Sequence, residues 1–163
     1  MRGATMEKID WKNLSYYDFI GFVAVTAFLL FVLYFGGLWY ATYDYRIQMR
    51  DQMVEMYKQL PNPIPPIEDD YGVHQRWLVF YIDGVKVLNK PQPENVINEY
   101  KKALEKEGWA TEREYEHVRN DKNKIYGINM RKGEFILSVS ARENRDSINI
   151  HLIKRDWIYN KGF

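Results

Sequence analysis

Few side chains in this 163-residue sequence are suited to chemistry, and their spacing forms no recognisable reaction centre. The three histidines are His74, His117 and His151, and none is spaced as HxxxH or HxH, which bring two imidazoles to one metal ion. Asp69 and Asp70 lie near His74, but two carboxylates and one imidazole leave a divalent cation with an incomplete ligand shell. We therefore predict no metal site and interpret the two aspartates as a solvated acidic segment.

Nucleophilic catalysis has no better support. Ser138, Ser140 and Ser147 lie in strand-like or turn-like sequence without the GxSxG pattern of an activated serine. The chain has no cysteine, which excludes a thiolate nucleophile, a disulfide, a CxxC metal site and a lipidated cysteine. The glycines form no nucleotide-binding loop. The sequence thus predicts a protein that is not an enzyme and holds no cofactor.

Charge excludes another class of partner. The chain has 23 Lys and Arg against 22 Asp and Glu, and the two signs are intermixed, whereas nucleic acid binding needs a concentrated positive surface. Glu112, Glu114 and Glu116 alternate along one segment, too uniformly for the unequal acid and base roles of a hydrolase. We interpret these glutamates as solvated or as a docking edge for a basic partner.

The apolar run at residues 19–41 predicts a membrane-spanning helix, with residues 1–18 as a polar tail before it. The run contains no charged residue, and about 23 residues at about 1.5 Å each reach about 34 Å, enough to cross a hydrocarbon core of about 30 Å. Tyr and Trp flank it on both sides, as is typical of membrane interfaces. The lipid bilayer is the partner this run predicts, with Phe19, Leu30, Trp39 and Tyr40 among the anchoring residues.

We expect this anchor to be retained in the mature protein. The run is longer than the apolar region of a signal peptide, and Tyr40-Ala41-Thr42 is a poor cleavage site. Basic residues are balanced before and after the run, so the positive-inside rule does not assign its orientation. A short tail, one uncleaved span and a C-terminal domain are typical of bacterial signal-anchor proteins, which predicts a single-pass cell-membrane protein with an extracytoplasmic domain.

Residues 42–60 predict a juxtamembrane helical stalk. Met49, Met53, Met56 and Leu60 recur at intervals of four, three and four, but a coiled coil is credible only over three or four heptads. We therefore expect an amphipathic helix that packs on the domain or on a partner subunit. The proline-rich residues 61–70 end this helix and favour an extended spacer.

Residues 71–163 predict one soluble domain. The run Trp77 to Ile82 is β-branched and aromatic, as in a central strand, and Asp83-Gly84 predicts a turn after it. The segment from Pro93 to Glu107 has a single apolar stripe typical of a helix, and Gly108-Trp109 predicts a Schellman ending.

The sequence after that helix changes to a period of two. We predict strands at residues 110–117, 125–130, 135–141 and 146–154, the first of them near an edge, and a turn at 120–124. The fold class is therefore α+β, with one helix packed on a mostly antiparallel sheet of about four to five strands.

This pattern resembles a class of bacterial domains. After a Pro-containing lead-in, the helix NVINEYKKALEKEGW and the strand sequence KGEFILSVSA are similar to small sensor-like or lipoprotein-like α+β domains tethered outside the cytoplasmic membrane. The resemblance covers about Pro61 to Lys154 and rests on Tyr100, Leu104 and Gly108-Trp109. It implies bacterial, extracytoplasmic placement and carries over no site residues. A helical anchor replaces the lipidated cysteine of the lipoprotein version.

Two functions follow as hypotheses. The first is an accessory or structural subunit of an envelope complex, whose domain binds another protein or a second copy of the chain. The second is a membrane-tethered sensor or small-ligand-binding domain, with an aromatic-lined groove between helix and sheet near Tyr81, Tyr100, Tyr115 and Tyr126. The second hypothesis predicts a pocket of about 300 Å³ or more at that interface.

Overall fold

The computed structural model describes residues 16–76, 79–89, 92–118 and 123–155. The chain divides into two compact units, residues 1–44 and residues 45–163. Three helices and six strands follow in the order α1 (Tyr16–Ala41), α2 (Tyr43–Lys58), β1 (Glu68–Arg76), β2 (Val79–Val87), α3 (Pro93–Lys106), β3 (Ala110–Val118), β4 (Lys124–Lys132), β5 (Phe135–Arg142) and β6 (Ser147–Lys154).

Helix α1 is the one helix in the described residues that is long and apolar enough to cross a membrane. Its 26 residues include a single charged side chain, Asp18, and none of its residues is buried. The side chains of Phe19, Leu30, Trp39 and Tyr40 are all exposed. An exposed apolar surface of this length, about 39 Å at about 1.5 Å per residue, favours a lipid environment.

Helix α2 contributes most of its length to the second unit, which begins at Tyr45. Its Met49, Met53 and Tyr57 are buried in the hydrophobic core, together with Leu60 just beyond the helix. The methionine stripe seen in the sequence is therefore the side of the helix that packs on the domain.

The sheet has six antiparallel strands in the order β1-β2-β6-β5-β4-β3. The α+β class is as predicted, but the expectation of one helix and about four to five strands is corrected to six strands, and α2 packs on them besides α3. The additional strand is β1, part of which we had assigned to the proline-rich linker. Every residue of β1 is exposed or half-buried, so its sequence lacks the apolar alternation that reveals a strand.

Strand β2 continues through the predicted turn at Asp83-Gly84. These two residues lie in mid-strand, paired with Gly72 and Tyr71 of β1. A Cβ atom at Gly84 would collide with the ring of Tyr57, so this glycine is needed for close packing of α2 rather than for a turn. The predicted strand start at residues 77 and 78, and most of the predicted turn at 120–124, lie outside the described residues.

Helix α3 ends as the sequence predicted. Gly108 has φ of +83°, its N–H donates to the carbonyl of Glu105 at 3.1 Å, and the Trp109 N–H donates to the carbonyl of Leu104 at 3.0 Å. This pair of bonds is a Schellman motif, and Trp109 is buried beneath it. The strands predicted after the helix are all present, with β3 at an edge.

The two faces of the sheet differ completely in their surroundings. We call the face on which α2 and α3 pack the covered face. Its residues are fully buried across four strands, as Ile82, Leu152, Leu137 and Met130 show. No helix of the described residues packs on the opposite face, which we call the open face.

Candidate functional site

The register of the strands arranges the open face in rows that run across the whole sheet. One row, the central row, consists of Gly72, Asp83, His151, Ser138, Asn129 and Arg113. A neighbouring row, the valine row, consists of Asp70, Val85, Asn149, Ser140, Gly127 and Tyr115. On the other side, the tyrosine row consists of His74, Tyr81, Ile153, Ile136, Arg131 and Ala110.

Two histidines flank one carboxylate on this face. The Nδ1 atom of His151 lies 2.7 Å from Oδ1 of Asp83, and Nε2 of His74 lies 3.7 Å from Oδ2 of the same carboxylate. The ring of Tyr81 stacks on His74 at 5.1 Å between centroids and contacts His151 at 5.5 Å. Gly72 leaves room for His74, because a Cβ atom there would lie 2.9 Å from Nε2. The four side chains form one cluster on strands β1, β2 and β6.

The chemistry of this cluster is limited. Among the described residues, no three histidine, cysteine or acidic side chains are arranged to hold a metal ion. Asp83, His151 and Ser138 stand on neighbouring strands in the order of a catalytic triad, but activation of a serine requires a hydrogen bond from its hydroxyl to the imidazole. The structure shows the bond between His151 and Asp83 and none between His151 and Ser138. In the part of the chain that the structure describes, the cluster is therefore a carboxylate between two imidazoles, without a hydrogen bond to Ser138.

A groove lies on the open face beside this cluster, over strands β3, β4 and β5. Its volume is about 590 Å³, and its polar lining comes from Arg113, Glu116, His117, Asn129, Ser138 and Ser140. Tyr115 contributes the aromatic part of the lining and lies over Gly127, where any Cβ atom would collide with its ring. The short side chains of Ser138 and Ser140 on β5 leave room for the groove.

The two halves of the open face differ in charge. At the β1–β2 side, Glu68, Asp70 and Asp83 project from the same face as one guanidinium, Arg76, which leaves a net negative charge there, and the structure assigns no ion pair to Glu68 or Asp70 within the described part of the chain. At the β3–β5 side, Arg113 and Arg142 are likewise without an ion pair to any described residue. The face is therefore acidic at one edge and basic at the other.

The four tyrosines expected to line a groove are not brought together. Tyr115 and Tyr126 both border a smaller cavity of about 250 Å³ next to Ile97 of α3. Tyr100 is on the buried side of α3, and its hydroxyl has no hydrogen-bond partner. Tyr81 lies on the open face. The helix–sheet interface is thus largely packed, and the larger concavity of the two is on the open face.

The alternating glutamates of β3 are paired within the chain. Glu112 lies 3.3 Å from Arg131. Glu114 lies 2.6 Å from Lys101, whose pKa is raised first of all by that hydrogen bond. Glu116 lies 2.8 Å from Lys124. Because each carboxylate already has a basic neighbour, the structure gives less support to a docking edge for a basic partner.

Asp69 and His74, considered above as neighbours, lie on opposite faces of the sheet. Asp69 is on the covered face, where its carboxylate lies 3.1 Å from Nζ of the buried Lys86 and accepts the hydroxyl hydrogen of Tyr57 at 3.0 Å. Lys86 also donates to Oδ1 of Asn62 and lies over the Tyr57 ring at 5.4 Å. Burial, with the charge of Asp69 second, raises the pKa of the Tyr57 hydroxyl. This buried polar cluster fastens α2 to the sheet.

Sequence reasoning missed the cluster around Asp83 because its members come from three strands that are distant in sequence. His151 is exposed and alternates with the buried Ile150 and Leu152. Its carboxylate partner could not be found from the sequence, because Asp83 was predicted in a turn and no strand was predicted at His74. Recognition of β1 as a strand would have supplied the missing pairing.

No protein-family model matches this chain, and a search of curated proteins finds no relative of it.

Proposed function

We propose that this protein is a single-pass membrane protein whose extracytoplasmic domain binds another protein through the open face of its sheet. In this role it is an accessory or structural subunit of an envelope complex. The observation that carries the proposal is the open face itself, six strands wide and without a covering helix in the described residues.

The composition of the open face supports recognition of a macromolecule. Tyr81, Ile136 and Ile153 are half-buried side by side in the tyrosine row, and Val85 is 42% exposed in the valine row. Apolar and aromatic side chains within a polar surround are typical of the centre of a protein interface.

The anchor supports placement at the cell membrane. Helix α1 has the length and composition of a membrane span. The sequence that follows it resembles bacterial domains that are held outside the cytoplasm. Extraction of cell membranes at alkaline pH is expected to leave the protein in the pellet. Protease added to intact spheroplasts is expected to degrade residues 45–163, and complete protection there would contradict the extracytoplasmic placement.

Photo-cross-linking in the native membrane tests the interaction. A photoreactive amino acid replaces Asn149, which is exposed in the middle of the open face, and in a control replaces Lys102 on the exposed side of α3. We expect a discrete cross-linked protein from position 149 and little or none from position 102. If neither position yields a product, or both yield the same one, the open face is not the interaction surface.

A second candidate function is binding of a small ligand in the groove over β3, β4 and β5. The volume of about 590 Å³ lies within the range of small-molecule sites, and hydroxyl, carboxamide, guanidinium and carboxylate groups converge there. Screening of the full chain in detergent against polar metabolites, with Ser140→Trp as the variant that fills the groove, tests this function. Binding that is equal in both proteins would remove the groove as its site.

A further inference from the structure

We propose that the partner on the open face is a second copy of this chain, packed sheet against sheet about a two-fold axis parallel to the strands. The inference rests on the proposed function, since it names the protein that the open face binds. The feature that identifies the partner is the charge asymmetry of the face, because a surface that is acidic at one edge and basic at the other is complementary to itself.

In this dimer the two-fold axis runs between β6 and β5. The strands of one copy therefore lie opposite the strands of the other copy taken in reverse order. With the order β1-β2-β6-β5-β4-β3, strand β1 of one copy then faces β3 of its partner, and β2 faces β4. Rows stay opposite equivalent rows near the axis and diverge outward, since packed sheets are rotated by about 30°. Each contact therefore occurs twice, as in any isologous dimer.

The central row brings opposite charges together under this symmetry. Asp83 on β2 faces Asn129 of the second copy, with Arg113 of that copy one strand further out. Adjacent strands are separated by about 4.8 Å, a distance that the long arginine side chain spans. A guanidinium without an ion pair in its own chain, to any described residue, would thus meet a carboxylate held by two histidines.

The neighbouring rows agree in shape and polarity. In the valine row, the exposed Val85 faces the ring of Tyr115 where that ring lies over Gly127, and Asp70 faces strand β3, which carries Tyr115. In the tyrosine row, Ile153 faces Ile136 close to the axis, and the ring of Tyr81 faces the guanidinium of Arg131. The first row places an aliphatic side chain against an aromatic ring, and the second places an apolar contact at the centre with a cation–π contact beside it.

The size of the face is sufficient for a stable dimer. Six strands about 4.8 Å apart, with about eight residues of about 3.3 Å each, give a face of about 29 Å by 26 Å, or about 750 Å² per copy. Two copies would bury about 1,500 Å² in total, close to the standard size of a specific protein interface.

A charge-swap cycle tests the second copy directly. Sedimentation equilibrium of the full chain in detergent measures the dimer dissociation constant of the wild type, of Asp83→Arg, of Arg113→Asp and of the double variant. Each single swap places like charges opposite one another twice per dimer, and we expect dimerisation to weaken at least about tenfold. The double swap restores opposite charges and is expected to return the constant to within about threefold of the wild type. Both side chains are exposed, so circular dichroism should show an unchanged fold.

The control is an ion pair on the exposed side of α3, where Lys102 lies 3.2 Å from Glu99. Glu99→Arg and Lys102→Asp change the net charge by the same amounts and are expected to leave the dissociation constant unchanged. Because the chain has no cysteine, a mixture of chains carrying Asn149→Cys and Ser140→Cys provides a second readout. A bis-maleimide reagent of about 10 Å, the spacing of packed sheets, should link the two chains.

Three outcomes would overturn the proposal that the partner is a second copy of the chain. They are a chain that stays monomeric at all concentrations, single swaps without effect, and a double swap as weak as the single ones. A photo-cross-link from position 149 to a different protein would also overturn it while leaving the proposed function intact. The absence of any cross-link from position 149 would remove both.

Discussion

The two faces of the sheet share one local arrangement, a tyrosine ring over a glycine, in different surroundings. On each face a tyrosine ring lies directly over a glycine of a neighbouring element, Tyr57 over Gly84 on the covered face and Tyr115 over Gly127 on the open face. Tyr57 is fixed by Asp69, Tyr71 and Lys86 and holds α2 against the sheet. Tyr115 belongs to an exposed edge strand and borders a groove. Similar local geometry therefore anchors a helix where the ring is enclosed, and forms the wall of an open groove where it is not.

The largest expected difference between the faces is in the cost of removing a side chain. Leu152→Ala empties a fully buried site on the covered face and should lower the free energy of unfolding by about 3 kcal/mol. Ser138→Ala, on the open face, should change it by no more than about 0.5 kcal/mol. Urea unfolding of the full chain in detergent, followed by circular dichroism, measures both. Equal losses would show that the open face is also part of the core.

In the buried polar cluster of the covered face, removal of the carboxylate should cost more stability than removal of the ammonium. Asp69→Ala leaves the ammonium of Lys86 buried without its carboxylate and is expected to cost about 2 kcal/mol. Lys86→Met replaces that ammonium with an apolar chain of similar length, leaves Asp69 bonded to Tyr57, and should cost less than about 1 kcal/mol. A greater loss for Lys86→Met in the same urea experiment would contradict the role assigned to this cluster.

Substitution of Gly84 and of Gly127 by alanine tests whether the tyrosine ring over each glycine can move. Gly84→Ala forces a Cβ atom against the ring of Tyr57 and is expected to cost about 1.5 kcal/mol. Gly127→Ala makes the same collision with Tyr115, which can turn away into solvent, so we expect a loss below about 1 kcal/mol. The thermal unfolding midpoints of the two variants provide the comparison. A larger shift for Gly127→Ala would show that Tyr115 is as constrained as Tyr57.

On the covered face, substitution of Tyr100 is expected to raise stability rather than lower it. Its buried hydroxyl has no hydrogen-bond partner, so Tyr100→Phe should stabilise the protein by about 1 kcal/mol at neutral pH. Burial, with the charge of Asp69 second, also raises the pKa of this hydroxyl, as it does for Tyr57.

The raised tyrosine pKa values predict a loss of stability in alkali. Above about pH 10 the unfolded chain releases these protons before the folded one, so stability falls by about 1.4 kcal/mol per pH unit for each tyrosine until the folded pKa is reached. Urea unfolding at pH 9 and pH 11 should show this decline, with about half the slope in Tyr100→Phe. An unchanged slope in that variant would contradict the contribution of Tyr100.

The covered face was largely predictable from the sequence and the open face was not. The stripe of α3, its ending at Gly108-Trp109 and the alternation of β5 and β6 all depend on residues close in sequence, so local periodicity was sufficient. The cluster of His74, Asp83 and His151 depends on pairing of β2 with β6, whose residues are about seventy positions apart. Edge strand β1 was also missed, since polar residues on both of its sides hide its period.

The measurement that most directly tests the open face as an interaction surface is the rate of cysteine alkylation in native membranes. The cysteine-free chain allows a single reporter, Val85→Cys on the open face, with Lys102→Cys on α3 as the control. We predict that Val85→Cys reacts at least about tenfold more slowly with a maleimide in native membranes than in dilute detergent, while Lys102→Cys reacts at similar rates in both. Equal rates for Val85→Cys in the two conditions would show that nothing covers the open face and would contradict the proposed function.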